Sequence, residues 1–221
     1  MDINIRNEAP EDYREVEELT KKAFWNVNVL GCDEHYIAHI LREHADFIPE
    51  LDFILTLNGK IIANIMYTKS RLSDETDAEK EIVTFGPFSV LPEYQRMGYG
   101  KKLLEYSLKK AADMGFEAVV IFGNPENYVT AGFKSCKKYN VAISGGIYPV
   151  ALLVKELKEG ALAGKRFIYK ESPAYEYDRE KAEEFDKTFE QMPKEYRQSK
   201  ELFYIYSGSA VQNELTEKEV M

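Results

Sequence analysis

The chain has 221 residues, of which 44% are hydrophobic and 13% aromatic, so it suits one packed domain with or without an appendage and is too apolar for wholesale disorder. Its net charge of −9 argues against nucleic acid as the main partner, because a phosphate backbone needs a cationic surface. Two cysteines, Cys32 and Cys136, give no disulfide framework, and neither an apolar leader nor an apolar run of membrane-spanning length is present. We therefore expect a cytoplasmic protein with no membrane partner.

The hydrophobic pattern predicts an α/β protein with a mixed sheet. Asn58-Gly59 is the turn signal of a β-hairpin, whereas the stretch from Ser70 to Lys80 has the composition of a polar loop. In chain order the prediction is strand 3–7, helices 11–24 and 33–44, strands 52–57, 60–69 and 81–90, helix 99–114, strand 117–122, a short helix 126–131, and strands 134–138 and 150–157.

The composition changes after residue 160, which divides the prediction into a main domain, 1–160, and an extension, 161–210. The extension should contain a strand at 166–170, a helix at 179–191 and an aromatic-rich, helical element at 195–206, followed by a frayed tail at 211–221. It is too small to fold alone, so its aromatic side chains need a partner surface. Packing on the sheet of the main domain is the favoured interpretation; covering a ligand pocket or a dimer interface is the alternative.

The clearest motif lies at a predicted strand-to-helix junction, where Gln95-Arg96-Met97-Gly98-Tyr99-Gly100 precedes the helix. Glycines let another group approach the backbone closely, and the N–H groups of a first helical turn attract anions. Arg96, Lys101 and Lys102 add positive charge, so the motif predicts a site for a diphosphate. It is not a P-loop, because Lys102 replaces the required Ser or Thr, and not a dinucleotide fingerprint, because Leu103 replaces the third glycine.

This Gln-x-x-Gly-x-Gly motif resembles the acyl-CoA loop of the GCN5-related N-acetyltransferase (GNAT) family. The opening strand and helix, the hairpin, the strand 117–122 and the run Tyr128-x-x-x-Gly132-Phe133 follow in the order that this family has, over residues 3–157. Gly123-Asn124-Pro125 ahead of Tyr128 further resembles a bacterial subgroup of predicted acetyltransferases with a C-terminal extension. The resemblance implies the GNAT fold, a splayed mixed sheet flanked by helices.

The resemblance also implies a function, which is transfer of an acyl group from acetyl-CoA to a primary amine of a small molecule or peptide, in a ternary complex and without a metal. The alternative is a non-catalytic sensor that binds acyl-CoA. Tyr128 corresponds to the family's general acid, and a backbone N–H near Phe88 or Val90 to the oxyanion donor. The residues predicted to hold coenzyme A are Phe88, Ser89, Val90, Gln95, Arg96, Met97, Gly98, Tyr99, Gly100, Lys101 and Asn124.

The general base stays unassigned, because Thr84 stands where some relatives have a glutamate. Glu81 lies three residues away, and alternation along a strand places its side chain on the opposite face. A bulge could change that, and Gly86-Pro87 indicates an irregularity in this strand. A base acting through water and a residue of the C-terminal extension both remain open.

The three histidines cluster around one predicted helix. His35 and His39 share a helical face near Cys32, a spacing that can bind zinc, but no second ligand pair is apparent and we predict no metal site. In the family this helix borders the acceptor pocket, which implies acceptor contacts for Trp25, His35 and Tyr36. Cys136 is expected to be a buried strand residue rather than a nucleophile. The sequence is compatible with a monomer or a homodimer.

Overall fold

The computed structural model describes residues 2–212, and its described strands form one mixed sheet flanked by helices. The strands are β1 (Ile3–Asn7), β2 (Phe53–Leu57), β3 (Lys60–Asp74), β4 (Glu79–Val90), β5 (Ala118–Phe122), β6 (Lys134–Ser135), β7 (Val141–Ala142), β8 (Leu152–Glu156) and β9 (Phe167–Lys170). The main path of the sheet runs β1-β2-β3-β4-β5-β8-β6, while β9 pairs with both β3 and β7. The helices are α1 (Tyr13–Phe24), α2 (Glu34–Leu41), α3 (Tyr99–Asp113), α4 (Pro125–Tyr128), α5 (Arg179–Asp186) and α6 (Gln198–Gly208).

The centre of the sheet is apolar on both faces, which fits the continuous hydrophobic runs in β2, β3 and β5. Apolar stripes of α1 and α3 bury Val16, Leu19, Leu103 and Leu104 in the main core. The predicted Asn58-Gly59 hairpin is confirmed, with both residues at positive φ between β2 and β3. The predicted α/β class is confirmed as well.

The polar loop predicted from Ser70 to Lys80 is wrong, because β3 continues to Asp74 and β4 begins at Glu79. Leu72 and Ile82 are fully buried in this region, so the strands continue through a polar sequence to cover a second core. Only a short turn remains, and Asp74 holds it by accepting hydrogen bonds from the backbone N–H of Thr76 and of Ala78.

Several other predicted elements are shorter than expected, among them the helix predicted at 33–44, which spans Glu34–Leu41. The strand predicted at 134–138 ends at Ser135, whose hydroxyl accepts a hydrogen bond from the Lys137 N–H and begins a 3₁₀ turn. The helix predicted at 179–191 ends at Asp186, although Phe189 beyond it is buried, as its place on the apolar stripe indicated. Part of the tail predicted at 211–221 lies outside the described residues.

The C-terminal extension is joined to the main sheet. β9 pairs antiparallel with Arg71–Asp74 of β3, so this strand adds backbone hydrogen bonds as well as side-chain contacts. Beyond it, α5 contacts α1 and α2 through Asp186, whose Oδ1 lies 2.6 Å from Lys21 Nζ and 3.1 Å from His35 Nε2. His35 Nε2 makes no hydrogen bond to a described residue. Burial lowers the pKa of His35 to about 4, so the ring is neutral at pH 7 and forms no ion pair with Asp186.

The parallel strands β4 and β5 separate soon after they meet. They pair at Val83 and Val119, and β4 then runs on to Val90 with no β5 partner. A bulge at Gly86-Pro87, where the register against β3 shifts, confirms the irregularity that the sequence indicated. The divergence opens a cleft between the carboxyl ends of two parallel strands. No helix between residues 2 and 212 combines the length and apolarity needed to cross a membrane.

Candidate active site

A cavity of about 580 Å³ lies where β4 and β5 diverge. One side is formed by the end of β4 and by the segment that follows β5. The opposite side is formed by α1, α2 and the C-terminal extension, including one face of α6. The side chains that line the cavity include Phe24, Val27, Glu34, Ile37, Thr84, Asn124, Tyr128, Glu171, Tyr175, Leu202, Phe203 and Tyr206.

Tyr128 ends the short helix α4 and reaches the cavity with its ring held between Phe85 and Phe133, at centroid distances of 5.7 and 5.8 Å. Its hydroxyl makes no hydrogen bond to a described residue. Burial of the ring raises the pKa of Tyr128 to about 12, so the phenol stays protonated at every ordinary assay pH. The structure therefore holds a protonated, unengaged O–H donor in the wall of the cavity.

Gly123 fixes where this ring can lie. A Cβ atom placed on Gly123 would come within 2.6 Å of Cε2 of Tyr128, while its backbone φ is one that any residue can adopt. We expect Gly123→Ala to push the ring away from its position, to lower kcat about 10-fold, and to lower the free energy of unfolding by about 1–3 kcal/mol because the ring is packed. Gly208→Ala, at a position with open space and an ordinary φ, is the matched control. Equal kcat in both variants would contradict this placement.

Thr84 lies in the cavity wall but its hydroxyl is already engaged. It forms hydrogen bonds with Ser70 Oγ at 2.8 Å and with the Tyr169 hydroxyl at 2.6 Å. Glu81 is exposed and pairs with Lys69 at 3.5 Å. Neither residue is placed to take a proton from a ligand in the cavity.

Two carboxylates that sequence reasoning missed line the cavity, Glu34 at the start of α2 and Glu171 directly after β9. Glu34 accepts hydrogen bonds from Asn28 Nδ2 at 3.0 Å and from the Asp33 N–H at 3.1 Å. Glu171 is accessible from the cavity and forms no ion pair or hydrogen bond with a described residue. Desolvation raises the pKa of both carboxyl groups. Glu34 could have been proposed as a cavity residue from its sequence position, because it lies at the start of the helix predicted to border the acceptor pocket. No feature of the sequence indicated that Glu171 would line the cavity.

The loop before α3 has the backbone shape of an anion site. Arg96 and Gly98 both have positive φ, 61° and 88°, and Gly98 is the N-cap of α3. Among described residues, no backbone or side-chain acceptor takes the N–H groups from Arg96 to Lys101; the Lys102 N–H is the first to bond back along the helix, to Gly98 O. Gln95 Nε2 donates to Val90 O at 2.9 Å and ties the loop to β4. This row of unpaired donors supports the predicted diphosphate site.

The other residues of this loop and of the first turn of α3 differ in their exposure and in their contacts. Met97 is exposed, and Tyr99 packs edge-on against Tyr94. Lys101 lies 3.8 Å from Glu105, a weak and exposed pair that leaves its charge available. Gly100 lets the helix approach β4, because a Cβ there would lie 3.1 Å from Val90 Cγ2.

The residues predicted to hold pantetheine differ in what they can offer. Phe88 lines the cavity, whereas Ser89 points its hydroxyl inward to Thr20 at 3.3 Å, so only its backbone is available. Asn124 caps α4 by accepting the Glu126 N–H at 3.0 Å through Oδ1. Its Nδ2 makes no hydrogen bond to any residue that the structure describes, so the cap and the predicted contact are compatible.

The three predicted acceptor residues are not among those that line the cavity. Trp25 is buried and donates from Nε1 to Pro193 O at 2.8 Å, so it anchors the extension instead. His35 is buried beside Phe185 and Phe189, and Tyr36 packs on His39 and Tyr177. On this side the cavity is lined instead by Phe24, Val27, Asn28, Glu34 and Ile37.

The histidine cluster is a packing feature. Cys32 Sγ lies 3.6 Å from His35 Nδ1, while His39 turns to Glu17 at 3.0 Å. Across residues 2–212, no three His, Cys, Asp or Glu side chains come together in a way that could hold a metal ion. Cys136 is buried, as expected, but in the 3₁₀ turn after β6 rather than in a strand, and desolvation raises its pKa to about 11.

Comparison with known proteins places these features in a family. The model of the acetyltransferase (GNAT) family matches residues 11–133, which is more than half of the chain. The chain belongs to the acetyltransferase (GNAT) family. The family identified from the Gln95–Gly100 motif, and with it membership of an acyltransferase enzyme family, is confirmed.

This GNAT family member is 26% identical over 125 residues to the uncharacterized N-acetyltransferase YjhQ of Escherichia coli (strain K12). The match covers 57% of the chain and 66% of the relative, slightly under two thirds of the relative's length.

Two solved structures share the fold. The GNAT family N-acetyltransferase YhbS of Escherichia coli, in complex with CoA, has a TM-score of 0.67, with 23% identity and coverage of 78% and 91%. A GNAT family acetyltransferase of Brucella melitensis, in complex with acetyl-CoA, has a TM-score of 0.63, with 22% identity and coverage of 79% and 99%.

Proposed function

We propose that the protein is an acetyl-CoA-dependent N-acetyltransferase that transfers the acyl group to a primary amine by direct attack in a ternary complex. This proposal rests on one observation, which is that the candidate diphosphate site and the cavity lie along the same strand. The row of unpaired N–H groups from Arg96 to Lys101 lies at the end of β4, and the cavity with Tyr128 opens along the same strand. The two structural neighbours are complexes with CoA and with acetyl-CoA, molecules that fit such an arrangement.

The loop would hold the diphosphate of coenzyme A. Its unpaired N–H groups and the first turn of α3 supply partial positive charge, and Arg96, Lys101 and Lys102 supply formal charge. The pantetheine arm would then extend into the cleft between β4 and β5, where the β5-facing edge of β4 pairs with no described strand beyond Val83. Backbone groups near Phe88 and Val90, together with Asn124 Nδ2, are the donors available to it there.

Within the cleft the protein has to align the thioester, polarise its carbonyl and protonate the departing sulfur. A backbone N–H near Phe88 or Val90 is the proposed donor to the carbonyl oxygen. Tyr128 is the proposed general acid, because its phenol is protonated at neutral pH and its hydroxyl is free. Cys136 is buried and does not line the cavity, so direct transfer without a covalent intermediate on the enzyme is part of the proposal.

Calorimetry with coenzyme A, followed by a thiol-release assay with acetyl-CoA and a panel of primary amines, tests this function. We expect CoA to bind and at least one amine to raise thiol release above the hydrolytic background. Absence of any heat with CoA would contradict the proposal outright. Binding without turnover of any amine would favour the acyl-CoA sensor. The cytoplasmic location and a monomeric or homodimeric state remain predictions from the sequence.

A further inference from the structure

The acceptor side of the cavity has a distinctive charge. Its ionisable lining groups other than tyrosine are Glu34 and Glu171, and no lysine, arginine or histidine lines it among the described residues. The remaining wall is largely apolar and aromatic, with Phe24, Val27 and Ile37 on one side and the α6 side chains Leu202, Phe203 and Tyr206 on another. Such a site attracts a cation carried on an apolar body and disfavours a carboxylate.

The two acids are held differently. Both oxygens of Glu34 accept a hydrogen bond, from Asn28 and from the Asp33 backbone, so this carboxylate is fixed in place. Glu171 has no such partner among the described residues and keeps its lone pairs for a ligand. A group that must accept a proton and pass it to solvent needs this freedom, together with access from the cavity.

The fold explains why Glu171 lies near the part of β4 that lines the cavity. Register places Lys170 of β9 opposite Arg71 of β3, so Glu171 follows at the level of Ser70. Glu171 lies near Tyr169, whose pKa its charge helps to raise, and the Tyr169 hydroxyl contacts Thr84 on β4. Tyr175, further along the extension, donates from its hydroxyl to Gly86 O at 3.2 Å. The extension thus delivers a free carboxylate next to the segment of β4 that has no carboxylate of its own facing the cavity.

We propose that Glu171 is the general base of this enzyme and that the acceptor is a primary amine on an apolar, carboxylate-free body, held in the cavity between Glu171 and the inner face of α6. This inference rests on the proposed acyl transfer and deepens it. Glu34 provides a second, fixed negative charge that favours the incoming ammonium group.

Protons and electron pairs balance over the step. Glu171 accepts one proton from the ammonium group and releases it to solvent, which leaves a neutral amine. The amine nitrogen forms a bond to the thioester carbonyl carbon as the carbon–sulfur bond breaks, and Tyr128 protonates the departing thiolate. The nitrogen then returns one proton to the Tyr128 phenolate. An ammonium acceptor and acetyl-CoA give the N-acetyl product, free CoA and one proton in solution.

The test compares Glu171→Gln with the wild type, using 2-phenylethylamine and acetyl-CoA. We expect kcat to fall about 10²- to 10⁴-fold, while CoA affinity by calorimetry changes less than 2-fold. Glu171→Asp should recover part of the loss. Glu176→Gln, an exposed glutamate five residues along the chain, is the matched control and should behave like the wild type.

The pH profile gives a readout that a purely structural role would not change. The base must be ionised, and desolvation raises the pKa of Glu171 above its ordinary value, so wild-type kcat/KM should rise with pH through a limb that lies above pH 4.5. The titratable groups around this carboxylate are Tyr169 and Tyr175, with Glu34 and Tyr128 also lining the cavity. The limb should disappear in Glu171→Gln and persist in Glu176→Gln.

Acceptor choice is tested with phenylalanine, which carries the same amine and ring with an added carboxylate. We expect its kcat/KM to be at least 10-fold below that of 2-phenylethylamine. Equal use of both acceptors would overturn the inferred acceptor class. An active Glu171→Gln enzyme, or a larger loss in Glu34→Gln, would overturn Glu171 as the base while acyl transfer stood. A wild type that does not bind CoA would refute the proposed function and this inference together.

Discussion

Replacing Tyr128 by Phe is expected to lower kcat about 10²- to 10³-fold at pH 7, while CoA binds as tightly as in the wild type. The substitution removes one hydroxyl that makes no hydrogen bond to a described residue and leaves the ring between Phe85 and Phe133. The loss should therefore fall on protonation of the leaving sulfur rather than on binding or folding. Steady-state kinetics with acetyl-CoA and calorimetry with CoA separate these effects.

The pH dependence of the wild type adds a second check on this role. A general acid must be protonated, so activity that depends on Tyr128 is lost only as pH rises through its pKa. Because burial raises the pKa of Tyr128 to about 12, kcat should show no descending limb from this residue below about pH 10. A descending limb near pH 8 that vanished in Tyr128→Phe would show that the phenol is far more acidic than the structure implies.

The control for this variant is Tyr106→Phe. Tyr106 is also half-buried, its ring packs edge-on against Phe53 at 5.2 Å, and its hydroxyl has no hydrogen-bond partner among described residues. It lies on α3, away from the cavity, so its kcat should match that of the wild type. Similar losses in both variants would mean that Tyr128 acts through packing alone.

Gly98→Val is expected to weaken CoA binding at least 10-fold, which corresponds to about 1.4 kcal/mol. No atom lies within 4 Å of a Cβ placed on Gly98, so the new side chain would occupy the open space in front of the unpaired N–H groups. The same change also affects folding, because Gly98 has a φ of 88° and a β-branched residue there costs roughly 1–3 kcal/mol.

The hairpin offers a matched control for this strain. Gly59 has a φ of 85°, and a Cβ placed on it would likewise meet no atom within 4 Å, but it lies in the Asn58-Gly59 turn. Gly59→Val should lose a similar free energy of unfolding and keep full affinity for CoA. Denaturant unfolding and CoA calorimetry on both variants separate backbone strain from blocked binding. Equal CoA affinity in the two variants would rule out the loop as the diphosphate site.

The local motifs were readable from the sequence because their chemistry depends on neighbouring residues. The Gln95–Gly100 loop is recognised by two glycines, Gly98 and Gly100, that are separated by one residue. The positive φ at Gly98 explains why that residue is a glycine. The hairpin at Asn58-Gly59 and the Asn124 cap are equally local. The region from Ser70 to Lys80 was misread because its strands are stabilised by pairing with each other and with β9, which local composition does not reveal.

The family, the candidate anion loop and Tyr128 as a candidate general acid could all be predicted from the sequence, because each depends on a short stretch of neighbouring residues. The folded chain was needed to show that Tyr169 engages Thr84 from 85 positions away, that Trp25 anchors the extension, and that Glu171 faces the cavity. Periodicity reports which residues share a face of one element. Which elements meet depends on strand register and on burial summed over the whole chain, and neither is encoded at any single position.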